Sequence, residues 1–159
     1  MENADYEKMK QLELPPFDIK LKKSERGVEV FDIIRKKYIK LTPEEWVRQH
    51  VVHFLITRLN YPKSLIRVES GHSYNALRKR SDIIVYDRMG KAFLLAECKS
   101  ASEKLNESAL YQVATYNHSI NAQYVALTNG IGFICGKPGR SGNGMKWLKE
   151  LPLFPDKPE

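Results

Sequence analysis

The sequence predicts an α/β protein in which a mixed central β-sheet is flanked by helices. Three observations lead to this prediction: a strong helix start at Thr42, two apolar strands within residues 81–99, and a second helix that two further strands follow. Strands that alternate with helices favour a sheet covered on both faces. The 159 residues are 42% hydrophobic, which suits one domain with a substantial core.

The first helix has a clear beginning and end in the sequence. Thr42 is suited to cap its amino terminus, Pro43 to the first helical position, and Glu45 follows three residues after the cap. The helix is expected to end near Asn60, ahead of Pro62. Apolar residues recur between these limits at helical spacing, which gives one apolar face: Val47, Val51, Phe54, Leu55 and Leu59.

The remaining elements follow in order along the chain. Residues 92–99 form a strand that is apolar on both faces and therefore central, and residues 106–120 form a helix with one apolar face. Asn129-Gly130 is a strong hairpin signal between the last two strands. The other predicted strands are Ser64–Glu69, Ser81–Tyr86, Gln123–Leu127 and Ile131–Cys135.

Three segments are predicted. Residues 1–27 are polar, contain Pro15-Pro16 and are interpreted as an arm, whereas residues 28–136 form the folded domain. Within that domain, residues 28–39 are a strand or a strand pair. Residues 137–159 are a C-terminal loop and short tail that packs on the domain, in which residues 145–154 are helical or irregular.

The charge balance points to a polyanionic partner. The formal net charge is +7, and several basic clusters, including Arg78-Lys79-Arg80, contribute to it. Solvated faces are the alternative interpretation of any one cluster. No apolar run reaches the ~20 residues of a membrane-spanning helix, and the polar first ten residues do not resemble a signal peptide. Cys98 and Cys135 give no disulfide framework, so we expect a cytoplasmic protein.

Asp82, Glu97 and Lys99 are the candidate catalytic residues. Side chains at i and i+2 of a strand share a face, so Glu97 and Lys99 point together while Cys98 faces the other side. An antiparallel hairpin of these two strands brings the start of the first beside the end of the second. Asp82 is therefore expected to lie next to Glu97.

Two neighbouring carboxylates repel each other unless a cation compensates. Mg²⁺ (or Mn²⁺) is suited to this position because it prefers oxygen ligands. Lys99 could then orient or help deprotonate a metal-bound water, or stabilise charge on a phosphate. The alternative interpretation of Glu97 and Lys99 is an ion pair on the sheet surface.

The pattern of Asp82 followed by Glu97-Cys98-Lys99 resembles the D…(D/E)-x-K core of the PD-(D/E)xK nuclease superfamily. The wider sequence resembles the N-terminal domain of type I restriction enzyme R subunits and its short stand-alone relatives. Four further stretches carry this likeness: Thr42–Gln49, Lys79–Asp82, Gln112–Asn117 with its Q-x-x-x-Y pattern, and Thr128–Gly130.

The resemblance implies a restriction-endonuclease-like αβββαβ core over residues 28–136 and a role for each matching position. Asp82 and Glu97 would bind the metal and Lys99 would be the catalytic lysine. Glu45 would join the site from the first helix. The alternative interpretation of Glu45 is that it serves only as the capping-box residue. Glu44 could equally form an ion pair with Arg48, four residues later.

The resemblance also implies four nucleic-acid contacts. Lys79 and Arg80 would bind phosphates ahead of the Asp82 strand. Gln112 and Tyr116 lie four residues apart on one helix face and would reach the edge of the active site or the DNA phosphate. Without the family, a polar helix face with a half-buried tyrosine explains the last two.

The function expected from the sequence is that of a Mg²⁺-dependent DNA endonuclease, restriction-enzyme-like. Its partners would be DNA and a protein, which is either a second copy of this chain or another restriction or repair subunit. No association with a membrane is expected. The alternative is a non-catalytic module that binds nucleic acid or protein on the same fold. The 159 residues contain no nucleotide-binding motif, so we expect this chain not to translocate DNA by itself.

Overall fold

The computed structural model describes residue 9 and residues 12–70, 81–139 and 144–155, and of residues 69, 70, 81 and 82 it describes the backbone alone. A small sheet contains β1 (Leu21–Ser24), β2 (Gly27–Asp32) and β3 (Lys37–Lys40). The helices are α1 (Pro43–Thr57) and α2 (Glu107–Ile120), with a short 3-10 turn at Lys63–Leu65. The main sheet contains β4 (Ile66–Ser70), β5 (Ser81–Tyr86), β6 (Ala92–Cys98), β7 (Tyr124–Thr128), β8 (Phe133–Pro138) and β9 (Met145–Leu148).

The six strands of the main sheet lie in chain order, from β4 at one edge to β9 at the other. Neighbouring strands are antiparallel except β6 and β7, which are parallel. Parallel neighbours require a crossover connection, and α2 provides it. The predicted fold class, a mixed sheet flanked by helices, is therefore confirmed.

The two helices cover opposite faces of the main sheet. Alternate residues of β5 and β6 point to opposite sides, as the period of a strand requires. On one side α1 packs in a cluster that includes Val51, Leu55, Ile83, Leu94, Ala96 and Cys98. On the other side α2 packs in a cluster that includes Leu110, Val113, Ile84, Leu95, Val125 and Leu127. Cys98 thus lies on the α1 face as a small apolar group, as predicted.

Helix α1 runs antiparallel to β6. The Thr42 side chain caps it by accepting a hydrogen bond from the backbone N–H of Glu45 at 3.1 Å, as predicted. Beyond its other end, the Tyr61 ring lies 6.2 Å from the ring of Phe93, at the beginning of β6. The amino-terminal end of α1 is therefore directed towards the end of β6 that carries Glu97. No helix in the described part of the chain is long and apolar enough to cross a membrane.

Two strands lie in segments that the sequence did not identify as strands. β1 falls within the predicted arm and pairs with β2, with Leu21 opposite Val30. β9 falls where a helical or irregular ending was expected, and that expectation was wrong because residues 145–148 pair with β8. Four-residue edge strands depend on a partner strand, which short sequence windows do not contain.

Two histidines of α1 lie in an aromatic environment. His50 is 5% exposed, and burial lowers its pKa although its Nδ1 lies 2.7 Å from the Trp46 carbonyl oxygen. The half-buried His53 stacks on the Phe17 ring at 3.8 Å between centroids. Burial lowers the pKa of His53 as well, and the positive charges of His50 and Lys63 add to this effect, while the charge of Asp32 opposes it.

Acidification is therefore expected to destabilise the protein between about pH 7 and pH 5. Both imidazoles have a pKa below that of an exposed histidine, so the unfolded chain binds protons first as the pH falls. The free energy of unfolding, measured by urea denaturation across this range, should decrease, and His53→Gln should reduce its slope with pH. Replacing the exposed His118 is the matched control. An unchanged slope in His53→Gln would contradict the assignment.

Candidate active site

The register of the main sheet places three acidic positions in one row. Asp82 of β5 lies directly opposite Glu97 of β6, as the sequence predicted from a hairpin of the two strands. On the other side of β5, Asp82 lies directly opposite Glu69 of β4. Directly opposite residues have Cβ atoms about 4.5–5.5 Å apart. The sequence analysis did not select Glu69, because its position relative to Asp82 depends on the pairing of β4 with β5.

Glu97 and Lys99 lie at the carboxyl end of the central strand. Glu97 shares the α2 face with Leu95, two residues earlier. The Nζ of Lys99 is 3.6 Å from Oε1 of Glu97, and the two side chains are 33% and 13% exposed, respectively. The backbone N–H of Lys99 donates to the Thr128 carbonyl at 2.8 Å, which ties it to β7. The two groups thus form an ion pair that solvent can reach.

The loop after β7 is tied to the loop after β6 by the Thr128-Asn129-Gly130 sequence. The Asn129 side-chain carbonyl accepts hydrogen bonds from the backbone N–H groups of Ile131 and Gly132, while its amide donates to the Glu103 carbonyl at 2.7 Å. Thr128 Oγ1 donates to the Gly132 carbonyl. These contacts connect the ends of β6 and β7 immediately beside Lys99.

Gly130 allows the N-terminal segment to approach this loop closely. It has a positive φ of 82°, and a Cβ there would lie 2.7 Å from a methyl group of Leu12. The backbone N–H of Glu13 donates to the Gly130 carbonyl at 2.9 Å. The backbone conformation favours glycine at this position, and any other side chain would also require Leu12 to move.

Helix α2 carries Gln112 and Tyr116, and it packs on the face of the main sheet to which Glu97 belongs. Tyr116 is half-buried against the cluster that contains Ile84 and Leu95, whereas Gln112 is exposed one turn earlier. Because α2 connects the end of β6 to the beginning of β7, its amino-terminal half lies towards Glu97. Gln112 is therefore nearer to the Glu97 end of the sheet than Tyr116 is. The predicted phosphate contacts Lys79 and Arg80 lie outside the described residues.

Glu45 lies in a largely buried network of charges at the amino-terminal end of α1. Its carboxylate forms an ion pair with the guanidinium of Arg48, whose Nε donates to Oε2 at 3.0 Å. Nη2 of Arg35, in the turn between β2 and β3, lies 3.3 Å from Oε1 of Glu45. Arg48 thus binds Glu45, three residues earlier, whereas the sequence analysis considered Glu44 as its partner.

Asp32 binds the same Arg35 from the end of β2. Its carboxylate accepts hydrogen bonds from the backbone N–H groups of Ile34 and Arg35 and from Nε of Arg35. Burial alone would raise the pKa of Asp32, but these hydrogen bonds and the charge of Arg35 hold it below its usual value. Asp32 and Glu45 therefore share one arginine, and the small sheet is joined to α1 by charge as well as by apolar contacts.

Glu69, Asp82 and Glu97 are the acidic positions of the main sheet at which a metal ion could bind. Among the described side chains, no three histidine, cysteine or acidic groups come close enough to hold a metal ion. The side chains of Glu69 and Asp82 are outside this set. Their backbone register places them beside Glu97, and Glu97 is accessible to solvent.

The order of the strands, the crossover helix and the acidic end of β5 and β6 define an α/β protein with a restriction-endonuclease-like core. The family model described as "Type I restriction enzyme R protein N terminus (HSDR_N)" matches residues 43–152. This match covers well over half of the chain, which therefore belongs to that family and has a nuclease-related role. No curated protein and no solved structure matched the chain.

Proposed function

We propose that this protein is a metal-dependent endonuclease that hydrolyses the phosphodiester bonds of DNA, with Asp82, Glu97 and Lys99 as its active-site residues. The observation that carries the proposal is the register of β5 and β6, which sets an aspartate opposite a glutamate two residues before a solvent-accessible lysine. Membership of a restriction-enzyme family makes DNA the polyanion that best fits the net charge of +7.

Each of these residues has a chemical role in the proposal. Asp82 and Glu97 would hold Mg²⁺ or Mn²⁺, which when bound lowers the pKa of water and neutralises charge on a phosphate. Lys99 lies near enough to Glu97 to stabilise the negative charge that develops on the phosphate oxygens. The water oxygen bonds to phosphorus and releases a proton to the solvent, the bond from phosphorus to the leaving sugar oxygen breaks, and that oxygen takes up a proton from the solvent.

Four residues would position the DNA. Gln112 is exposed on the flank of α2 nearest the carboxyl end of β6, and Tyr116 supports that flank from the core. Lys79 and Arg80 remain predicted phosphate contacts next to β5. We assign Glu45 a positioning role, because its carboxylate already binds two arginines.

The test is cleavage of supercoiled plasmid DNA by the purified protein with Mg²⁺, with Mn²⁺ and with EDTA. We expect nicked or linear product with either metal and none with EDTA, because the site's carboxylates bind DNA phosphate only through a cation. Salt-dependent DNA binding without cleavage under any metal would overturn the endonuclease and favour a non-catalytic nucleic-acid-binding module.

A further inference from the structure

The small sheet of β1, β2 and β3 lies outside the part of the chain that matches the family. It spans residues 21–40, whereas the family model matches residues 43–152. Its charge also differs from that of the rest of the chain. Residues 20–40 contain eight lysine and arginine residues and three acidic ones, which gives +5 of the net charge of +7. The segment that carries most of the net charge therefore has no role assigned by the family.

One face of the small sheet is apolar and packs on α1. Leu21, Val30 and Ile39 are opposite one another in register, and they belong to the cluster that contains Trp46. Because side chains alternate along a strand, the residues next to these three lie on the other face. We call it the basic face, and its residues are Lys20, Lys22, Lys40, Glu29, Phe31 and Tyr38.

The aromatic rings of the basic face support its lysines. Phe31 and Tyr38 are opposite one another, and their half-buried rings meet edge-to-face with centroids 5.3 Å apart. The Nζ of Lys20 lies 5.9 Å from the Phe31 ring centroid, and the Nζ of Lys22 lies 4.7 Å from that of Tyr38. A ring attracts a cation without neutralising its charge. The positive charge of these lysines is thus available to an anion.

Cations outnumber acids on the surface of the small sheet. Seven of the eight cations in residues 20–40 are exposed, and none of the seven forms an ion pair with an acid in the described part of the chain. The eighth, Arg35, binds Asp32 and Glu45. Glu29 lies between two lysines of the basic face and can offset only one of them. Repulsion among like charges opposes the compact state, so a bound polyanion stabilises this sheet.

The small sheet lies beside the end of the main sheet that carries Glu97 and Lys99. Leu12 packs both in the cluster of the small sheet and in the cluster on the α1 face of the main sheet. Leu12 also lies against Gly130, in the loop that follows β7. That loop begins at Thr128, whose carbonyl accepts the hydrogen bond from the backbone N–H of Lys99. A long polyanion bound to the small sheet is therefore concentrated near the candidate site.

We propose that the basic face binds the phosphate backbone of duplex DNA and holds the DNA near the candidate site. The inference rests on the proposed function in that DNA is the polyanion, and it adds a binding surface that the cleavage reaction does not use. Duplex DNA carries one negative charge per about 1.7 Å of its axis, and lysines that neutralise phosphates release counterions. Because the rings of the basic face are half-buried and its lysines lie over them, it contacts phosphates and not bases.

Binding of a labelled DNA duplex, measured by fluorescence anisotropy in EDTA, tests this surface. A variant with Lys20→Gln, Lys22→Gln and Lys40→Gln should raise the Kd at least about 10-fold at about 100 mM salt. The slope of log K against log salt concentration should decrease in magnitude by about 2 to 3, since each phosphate contact accounts for about 0.9. The three side chains are exposed, so the variant should fold. Arginine at the same three positions keeps the charge and should retain binding.

A matched variant separates the basic face from net charge. Lys63, Lys91 and Lys149 are exposed lysines outside the small sheet, and their replacement by glutamine removes the same charge. This control should change the Kd no more than about 2-fold, because salt screens charges that lie more than about 10 Å from the DNA. Equal weakening in the two glutamine variants would show that net charge alone attracts DNA and would overturn the inference.

The outcomes distinguish this inference from the proposed function. DNA binding that depends on the basic face, without plasmid cleavage under any metal, would support the inference and overturn the endonuclease. Cleavage together with unchanged duplex binding in the basic-face glutamine variant would overturn the inference alone. Loss of binding in the arginine variant would also overturn it, as would binding to phosphatidylserine vesicles but not to DNA.

Discussion

Glu97→Gln and Lys99→Ala are each expected to lower the rate of metal-dependent DNA cleavage at least about 10²-fold. Glutamine has the size of glutamate but lacks the charge that attracts a divalent cation. Alanine at position 99 removes the cation that lies 3.6 Å from the Glu97 carboxylate and that would face the phosphate. The measurement is the initial rate of plasmid nicking at saturating Mg²⁺, compared with the wild-type protein.

These two variants should fold normally. The ion pair of Glu97 and Lys99 reaches solvent, and such pairs contribute only about 0–1 kcal/mol to the free energy of unfolding. Exposed residues of the following loop provide matched controls, namely Glu103→Gln and Lys104→Ala. DNA binding should also persist in Glu97→Gln, because removing a carboxylate does not weaken attraction for phosphates.

Wild-type cleavage by both variants would show that the site lies elsewhere on the chain. Loss of cleavage in Glu97→Gln alone would keep the metal site and remove the assigned role of Lys99. If DNA binding in Glu97→Gln fell together with cleavage, the Glu97 carboxylate would be needed for the structure of the DNA-binding surface and not for the hydrolysis step.

The geometry of the candidate site could be predicted from the sequence where it depends on strand period and a short turn. Glu97 and Cys98 separate to opposite faces because side chains alternate along any strand. Asp82 meets Glu97 because the turn between β5 and β6 is short enough to form an antiparallel pair. Both relations are local, so the order of apolar and polar residues specifies them.

The partners that come from distant parts of the chain could not be predicted. Glu69 joins the row of acidic positions only because β4 pairs with β5 across residues 71–80. Arg35 reaches Glu45 because the small sheet packs against the amino-terminal end of α1, where Trp46 belongs to its core. Helix periodicity specifies neither pairing, and an edge strand such as β9 is defined by its partner.

The second large effect concerns Glu45, whose replacement by glutamine should lower the free energy of unfolding by about 3 kcal/mol. The Arg48 side chain that binds the Glu45 carboxylate is fully buried. Glutamine retains an oxygen that can accept a hydrogen bond but removes the negative charge. A buried guanidinium without sufficient opposite charge is costly, so the folded state loses stability while the unfolded chain does not.

Urea denaturation measures this loss, and Glu44→Gln is the matched control. Glu44 is also an acidic residue in the first turn of α1, but it is only partly buried and no ion pair holds it among the described residues, so its replacement should cost no more than about 1 kcal/mol. A double variant, Glu45→Leu with Arg48→Met, should recover much of the loss, because replacing both charges of a buried pair by apolar groups is often neutral.

The same variant decides whether Glu45 belongs to the reaction. A positioning residue acts through the packing of α1 on the sheet, so Glu45→Gln should cleave DNA at a reduced rate that the double variant restores. A metal ligand acts through its charge, so both variants would be inactive even where they are fully folded. Wild-type stability with abolished cleavage would contradict the structural role and place the Glu45 carboxylate beside those of Asp82 and Glu97. Because Glu45 already binds Arg35 and Arg48, we expect the first result.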